Sequence, residues 1–491
     1  MKPSVFIGFD TEDAINPEAD DAALRLARIF GKAGIKAGFF MVGEKARVLR
    51  ERGRKDVLDA LREHEIDYHG NYWFEFPEPA IVYGERLPWD EAVSRAFMVE
   101  NPGLNEVAEI CGQFPVATCQ HQNNHSLPTT WAMRKSGVRV WNGGLGSPLP
   151  EPGWVMDMLV VSRASRAVST QTGGGDAFQL DPLRPKISAS VCEPKGEIYA
   201  FQARFEKMLG TNPGHIVCLG HPTRWELAEW WGWYDWTPQF RRANSAGGPG
   251  PYPTGRRFER TVRRSRKDVE NAYKYTEMTA AWLARRKDIR MTTLEDFYKE
   301  RAEAKGQWLS RAQIHEVARK IRVKFDFVSV GNTTLSAADA LFLLALYFEY
   351  VLHTNRRPDA LQIRRTIGPV EPVLQPAKAV EFKRQSYLLA SRCVYEYVLD
   401  HDRLPHEIRA HGVDCGPGEV VMALAKALEK GQLPEKIAVE PTGGLPECAK
   451  MDFFKNATAS TCYAPPAFKP ERIHMMGLQQ SWSYRPAVVS R

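Results

Sequence analysis

Acids, imidazoles and amides stand at the ends of short apolar runs in this chain, and their types limit the chemistry open to it. The run Val5-Phe6-Ile7-Gly8-Phe9 leads straight into Asp10-Thr11-Glu12-Asp13. Clustered acids at the end of a buried strand need a cation or hydrogen-bond donors to stay there. Ile66-Asp67-Tyr68 ends on His69, followed by Gly70 and Asn71. The run from Pro115 to Cys119 opens onto Gln120-His121-Gln122-Asn123-Asn124-His125. His215-Ile216-Val217-Cys218-Leu219 opens onto Gly220, His221, Pro222, Thr223 and Arg224. Carboxylates and histidines drawn from different strand ends are the donor set of a divalent metal site. Asn71, Gln120, His121 and Arg224 at the same ends, with Trp225 beyond them, are candidates for substrate contact.

The elements that must position these groups alternate in type. Apolar runs at 5–9, 37–42, 66–69, 115–119, 138–141, 158–161, 215–219 and 289–291 read as strands. Between them, 19–34, 44–64, 91–111, 129–136, 197–209, 258–286 and 294–304 read as helices. Such alternation predicts a parallel barrel or a doubly wound sheet, and short strands that each end on a polar residue favour the barrel. In parallel α/β folds the carboxyl ends of the strands carry the chemistry. The stretch 142–196 is rich in Gly, Pro and Ser and carries one clear strand signal, at 158–161.

A chain of 491 residues is too long for one ordinary core. Residues 306–308 read as a linker, dividing a first domain at 1–305 from a largely helical module at 309–450. That module carries a diverged repeat with a register of about 80 residues, too long for a solenoid. Gly331–345 (GNTTLSAADALFLLA) pairs loosely with 411–425 (HGVDCGPGEVVMALA). The tail at 451–491, rich in Pro, Ser and aromatics, reads as irregular.

Net charge is +7, modest for this length, and does not mark a nucleic-acid protein. The basic group Arg256, Arg257, Arg260, Arg263 and Arg264 reads as a solvated helix face. The eight cysteines include no C-x-x-C pair, which argues against a zinc ribbon and a secreted disulfide framework. There is no secretory apolar region at the start, and the apolar stretch 340–348 is too short to span a bilayer. The expectation is a cytoplasmic protein without nucleic-acid or membrane partners, acting on a small molecule or glycan, with a homo-oligomer through the C-terminal module as one option.

With these residues in view, the chain resembles the polysaccharide deacetylase (NodB-homology) family over about 4–303. Phe9-Asp10, the helix from Asp20-Asp21-Ala22-Ala23-Leu24-Arg25-Leu26, and Lys36-Ala37-Gly38-Phe39-Phe40-Met41-Val42-Gly43 are similar to its opening. Tyr68-His69-Gly70-Asn71 is similar to the start of its histidine motif, Leu219-Gly220-His221-Pro222 to its late strand, and Thr292-Thr293-Leu294-Glu295-Asp296 to its closing segment. The resemblance implies an α/β fold, a distorted (β/α)7 barrel of glycoside hydrolase/deacetylase type, here followed by a mostly α-helical C-terminal domain. It implies hydrolysis of a non-peptide C–N bond: metal-dependent deacylation of an N-acyl amino sugar or another small amide, with zinc or a similar ion. Carried over, Asp10 is the general base, Glu12 the acidic metal ligand, His69 a histidine ligand and His221 the general acid.

One position departs from that pattern. Where the family has a second histidine, four residues after the first, this chain has Trp73. An indole cannot ligate a metal. The site then recruits His125 or His121 as the further ligand, or hydrolyses amides without metal, or has kept carbohydrate binding without catalysis. Asp13 is a spare carboxylate able to replace Glu12. Trp225, Trp230, Trp231, Trp233, Tyr234 and Trp236 offer flat faces suited to sugar rings, or the packing of a lid loop, and Ala246-Gly247-Gly248-Pro249-Gly250-Pro251 suits a mobile cover. Gly173-Gly174-Gly175 lacks the Lys-Ser/Thr of a phosphate loop. The duplicated module faintly resembles pseudomurein-binding repeats through Leu335-Ser336-x-x-Asp339; a structural or oligomerisation role is the stronger expectation.

Overall fold

The structure is a computed structural model that describes residues 2–72, 78–119, 126–145, 147–149, 151–163, 178–180, 193–211, 214–227, 262–303, 306–429, 433–457 and 468–488. It divides into two compact units. The first comprises Met1–Glu151, Val160–Lys299 and Ala459–Pro470, and the second Pro152–Leu159, Glu300–Thr458 and Glu471–Arg491.

The first unit is an α/β structure on a curled parallel sheet. Its strands are β1 (Ser4–Thr11), β2 (Gly38–Met41), β3 (Glu65–Tyr68), β4 (Ala117–Thr118) and β5 (Val140–Trp141). β6 (Gly153–Val155) and most of β7 (Met158–Val160) belong to the second unit, and β8 (Phe178–Gln179), β9 (His215–Gly220) and β10 (Arg290–Met291) complete the first. Hydrogen bonding runs β8-β9-β1-β2-β3-β4-β5, parallel throughout. Early strands follow chain order while the late strands return to the other side of β1. That is the order of a (β/α) barrel wall, and it puts the carboxyl ends of β1, β3, β4 and β9 side by side. β10 adds a short parallel pairing at the start of β1, Ser4 with Arg290.

Helices α1 (Pro17–Lys32), α2 (Gly43–Glu51), α3 (Lys55–Arg62), α4 (Ala80–Arg86), α5 (Trp89–Cys111) and α6 (Leu127–Lys135) fill the crossovers. The single helix expected over 44–64 is two. Gly53 takes φ 65°, a left-handed conformation that ends α2, and the chain restarts at Lys55. Asp20, fully buried on α1, shows what holds α1 to α2: Lys45, itself buried, and Arg52 both donate to its carboxylate. Low on β3, Glu65 accepts from the backbone N–H groups of Leu294 and Glu295 at 3.0 and 2.8 Å, capping the helix Leu294–Lys299.

The second unit is a tandem of one supersecondary module. In the first copy, β11 (Trp308–Ser310) leads into the helix Arg311–Val323. The hairpin β12 (Val328–Val330) with β13 (Thr333–Leu335), the helix Ala337–Thr354 and β14 (Ala360–Gln362) follow. In the second, β15 (Val380–Lys383), the helix Arg384–His401, the hairpin β16 (Ile408–Ala410) with β17 (Val413–Cys415), the helix Pro417–Glu429 and β18 (Lys436–Val439) repeat the order. β11 pairs with β14 and β15 with β18, both antiparallel. The unit is therefore less purely helical than expected. Its Leu-Ser-x-x-Asp motif is a helix cap: Ser336 Oγ accepts from the Asp339 N–H and the Asp339 carboxylate accepts from the Ser336 N–H. The helix Ala337–Thr354 is long and apolar enough by composition to cross a membrane, and most of it lies buried in this unit's core.

The segment expected to be an irregular tail carries the helix Glu471–Gln479 and then β19 (Arg485–Pro486). Its Trp482 is wholly buried in the second core, and Arg485 pairs with Asp157 and Glu303 at 3.3 and 3.2 Å. β6 and β7 flank a turn at Met156 and Asp157, both at positive φ, and β6 pairs antiparallel with β19.

Candidate functional site

Strand periodicity decides which side chains meet. Side chains alternate across a strand, so Asp10 and Glu12 leave β1 on one side, while Glu65, Asp67 and His69 line up on one side of β3. The Thr11 hydroxyl between the two acids turns back to the Phe9 carbonyl at 3.0 Å. At the carboxyl ends of β1, β3 and β9 the acids and histidines converge. His69 Nε2 stands 3.2 Å from Glu12 Oε2 and 3.7 Å from Asp10 Oδ2, and His221 Nε2 stands 3.6 Å from that same Asp10 oxygen. Asp10, Glu12 and His69 are buried; the His221 side chain keeps 16% of its surface. His221 is thus the ring that a solute reaches.

The tautomer of His69 follows from its other nitrogen. Nδ1 lies 2.9 Å from the Cys119 carbonyl oxygen, which can only accept, so Nδ1 carries the hydrogen. Nε2 faces two carboxylates that also only accept, so it donates to them when the ring is charged and can offer its lone pair to an ion when the ring is neutral. Donor atoms that share one zinc-sized ion at ~2.0–2.2 Å lie ~3–3.7 Å apart, and the distances around Nε2 fall in that range. Asp10, His69 and Cys119 also form a group of potential ligand atoms, all within 4.8 Å of one another.

Two residues that the sequence reading did not single out for chemistry complete the cluster. Arg163 forks onto Asp10, NH1 to Oδ2 at 2.8 Å and NH2 to Oδ1 at 2.7 Å. Its Nε donates to Asn142 Oδ1 at 2.9 Å, NH2 also donates to Cys119 Sγ, and the guanidinium lies 4.9 Å over the Phe40 ring. Asn142 is itself fixed, its N–H on the Thr118 carbonyl and its amide on that of Val161. Every guanidinium nitrogen thus has a partner, and 12% of the side-chain surface is exposed. Cys119 Sγ lies 4.0 Å from Asp10 Oδ1 and 2.9 Å from His69 Nδ1.

The electrostatics follow from these contacts. Burial pushes the Asp10 carboxyl up, but Arg163, His69 and His221 together outweigh it and hold Asp10 well below the ordinary carboxylate range. Burial raises the Cys119 thiol far above its ordinary value against the pull of Arg163, so Cys119 is a neutral thiol at this site. Burial pushes Arg163 down, and the Asp10 carboxylate more than restores it, leaving a permanent cation.

Other expected site residues have different places. Asn71 is committed to packing: Nδ2 donates to the Val99 carbonyl at 2.7 Å, Oδ1 accepts from Arg47 at 2.9 Å, and its N–H donates to Glu100. A Cβ on Gly103 would sit 2.5 Å from Asn71, so α5 approaches this turn through a glycine. Trp225 is a core residue rather than a sugar platform, wholly buried, edge-on to Phe9 with centroids 6.0 Å apart, Nε1 on Thr276 Oγ1 at 2.7 Å. Asp13 is no spare ligand. Oδ1 accepts from the N–H groups of Ile15 and Asn16, each at 3.0 Å, and Oδ2 from Thr223 Oγ1 at 2.8 Å and Asn16 Nδ2 at 3.0 Å. Arg224 follows His221 in the short helix Thr223–Glu226, with its N–H on the His221 carbonyl. Trp73, Gln120, His121, His125, Gly173–175, the aromatics from Trp230 to Trp236, residues 246–251 and Arg256, Arg257 and Arg260 lie outside the described residues.

No protein-family model matches the sequence, and no curated protein matches it. Among solved structures, the chain is similar to a protein described as a polysaccharide deacetylase from Mycobacterium smegmatis. The two share 16% identity over 61% of this chain and 89% of that one, with a TM-score of 0.38. A protein described in the same terms from Pseudomonas aeruginosa PAO1 gives 11% identity over 60% and 89%, with a TM-score of 0.36. A peptidoglycan deacetylase from Bacillus subtilis gives 11% over 61% and 91%, with a TM-score of 0.28. At such values the fold assignment rests on the strand order, and the reading of the site on its own geometry.

Proposed function

We propose that the first unit is a hydrolase of non-peptide C–N bonds, deacylating an N-acyl amino sugar or another small amide. The observation that carries this reading is the meeting of Asp10 and His221, 3.6 Å apart, at the ends of the neighbouring strands β1 and β9. Amide hydrolysis needs a group that takes a proton from water and one that gives a proton to the departing amine. In this reading Asp10 orients the attacking water and accepts its proton as the C–O bond forms. His221, the more exposed ring, protonates the amine nitrogen as the C–N bond breaks. Products are a carboxylic acid and a free amine.

The groups that would hold a divalent ion are Glu12 and His69, with Asp10 Oδ2 at the edge of the same space. Such an ion supplies polarisation of the acyl oxygen and a more acidic water. Glu12 and His69 offer donor atoms of the right type, with the His69 Nδ1 hydrogen on a backbone carbonyl, but Asp10 is already held by Arg163 through both of its oxygens. A further ligand in this scheme comes from His125 or His121. A second reading, hydrolysis without metal, is favoured by one observation: both Asp10 oxygens already carry hydrogen bonds from a fixed cation, Arg163.

The test is incubation of the purified protein with a panel of N-acetylated amino sugars, their oligomers and small amides, following amine release with an amine-reactive dye. Hydrolysis of at least one member, lowered ~10²–10⁴-fold in both Asp10→Asn and His221→Ala, is the expected result. A folded protein that releases no amine from the panel, with or without added zinc, counts against an enzyme.

A further inference from the structure

We propose that Arg163 is the resident cation of this site: its guanidinium occupies Asp10 and Cys119, two of the three clustered groups a divalent ion would need, so an ion and a docked Arg163 exclude one another. The inference rests on the amide-hydrolase reading only for its catalytic meaning; the exclusion itself is a statement about binding.

Asp10, His69 and Cys119 are the described residues whose ligand atoms lie within 4.8 Å of one another. Arg163 donates to two of these three, taking both oxygens of Asp10 and the sulfur of Cys119. An ion bound there would have to displace a fork of two charge-assisted hydrogen bonds, which are among the stronger contacts a carboxylate makes. It would also have to sit a few ångströms from a charge of its own sign. Arg163 is not a side chain draped over the site from solvent: Asn142 and the Phe40 face hold it from two further sides. Cys119 Sγ likewise accepts a hydrogen bond from Arg163, so a second potential ligand atom is already engaged by the guanidinium. In catalysis the fixed guanidinium then provides the positive centre facing the reacting carbonyl, a role served by preorganised donors and cations alike.

The test is isothermal titration of chelator-stripped protein with zinc chloride, for the wild type, Arg163→Lys and Arg163→Met. The expected result is weak or no uptake by the wild type and by Arg163→Lys, which keeps the charge. Arg163→Met is expected to take one equivalent at least ~10-fold more tightly, with a zinc-dependent rise in melting temperature, and Glu12→Gln in that background should lose both. Tight uptake of one equivalent by the wild type overturns the proposal, as does zinc binding that Arg163→Met leaves unchanged or weakens. If Arg163→Met also binds nothing, the niche is no cation site and the proposal fails. Should Arg163→Met not fold, Arg163→Gln takes its place, and the wild-type titration alone can still overturn it. Amine release is assayed separately. Zinc exclusion without hydrolysis leaves this inference standing and sinks the enzyme, while hydrolysis abolished by a chelator does the reverse.

Discussion

Asp10 carries opposing demands. A carboxylate forked by a guanidinium is well placed and weakly basic, since efficient proton acceptors have pKa values near the working pH. Its pKa is held below the ordinary 3.8, so it stays ionised throughout the neutral range. Two consequences follow. Activity should show no acid-side loss attributable to Asp10 between about pH 4 and 8; an acid-side loss in that range that Asp10→Asn alone removes would overturn this. For stability the sign is that of a depressed acid: the contribution is complete above pH 3.8 and is lost as the pH falls toward the lower folded-state value. Asp10→Asn should cost about 3–5 kcal/mol in urea unfolding, because it strands a mostly buried Arg163 without its counter-charge. Asp10, Glu12, His69 and His221 were legible because each ends an apolar run, where a polar residue is conspicuous. Arg163 was not, since it stands in a Gly, Pro and Ser-rich stretch whose pattern gives no face or register. Cys119 looked like one scattered thiol, although alternation along its strand already placed it beside the mouth. Trp225 misled because an aromatic after a candidate acid has the same sequence signature whether it packs inward or faces a ligand.

At the scale of elements, the site depends on two loops from neighbouring strands keeping step. The turn after β1 and the one after β9 are tied by the Thr223 hydroxyl on the Asp13 carboxylate, two residues beyond His221 and three beyond Asp10. The same carboxylate holds the entry to α1 through Ile15 and Asn16, so one acid sets both the helix start and the strap. Thr223→Val should cost ~1.5–3 kcal/mol of stability, the range for a lost hydrogen bond to a charged group. It should also shift the His221 imidazole resonances in a histidine-selective NMR spectrum while leaving His69 in place. If His221 does not move, the strap only supports the helix. The strands of the parallel wall at 5–9, 37–42, 66–69, 115–119, 138–141 and 215–219 were readable as apolar runs, while β6 and β8 were not, since they lie in the Gly, Pro and Ser-rich stretch. Helix boundaries were less legible. The break between α2 and α3 turns on Gly53 inside an amphipathic pattern that runs on through it, and the tail helix at Glu471–Gln479 hides in a composition typical of loops.

At the scale of the whole chain, each unit has a core of its own. The second is built on Ile314, Leu341, Phe348, Tyr387, Leu424 and Trp482, among others, from both copies of its module. It also carries its own polar keystone. Asp339 accepts from its helix's Ser336 N–H, from the Thr366 N–H at 2.9 Å and from Arg365 at 2.7 Å. In the second copy, Glu419 takes the matching position, accepting from Gly416 and Thr442. Replacing Asp339 by Ala removes a cap and one of two carboxylate partners of Arg365, which keeps Glu303, so a loss of about 2–3 kcal/mol is expected. Chains of this size with separate cores seldom unfold in one step. Calorimetry should therefore resolve more than one transition, with Asp10→Asn lowering one and Asp339→Ala lowering another. The two substitutions lie in different cores and share no partner among the described residues, so in the double variant their effects should add within ~0.5 kcal/mol. A single transition, lowered equally by either substitution, would mean that the two cores melt as one, and stability measured anywhere in the chain would then report on the site as well.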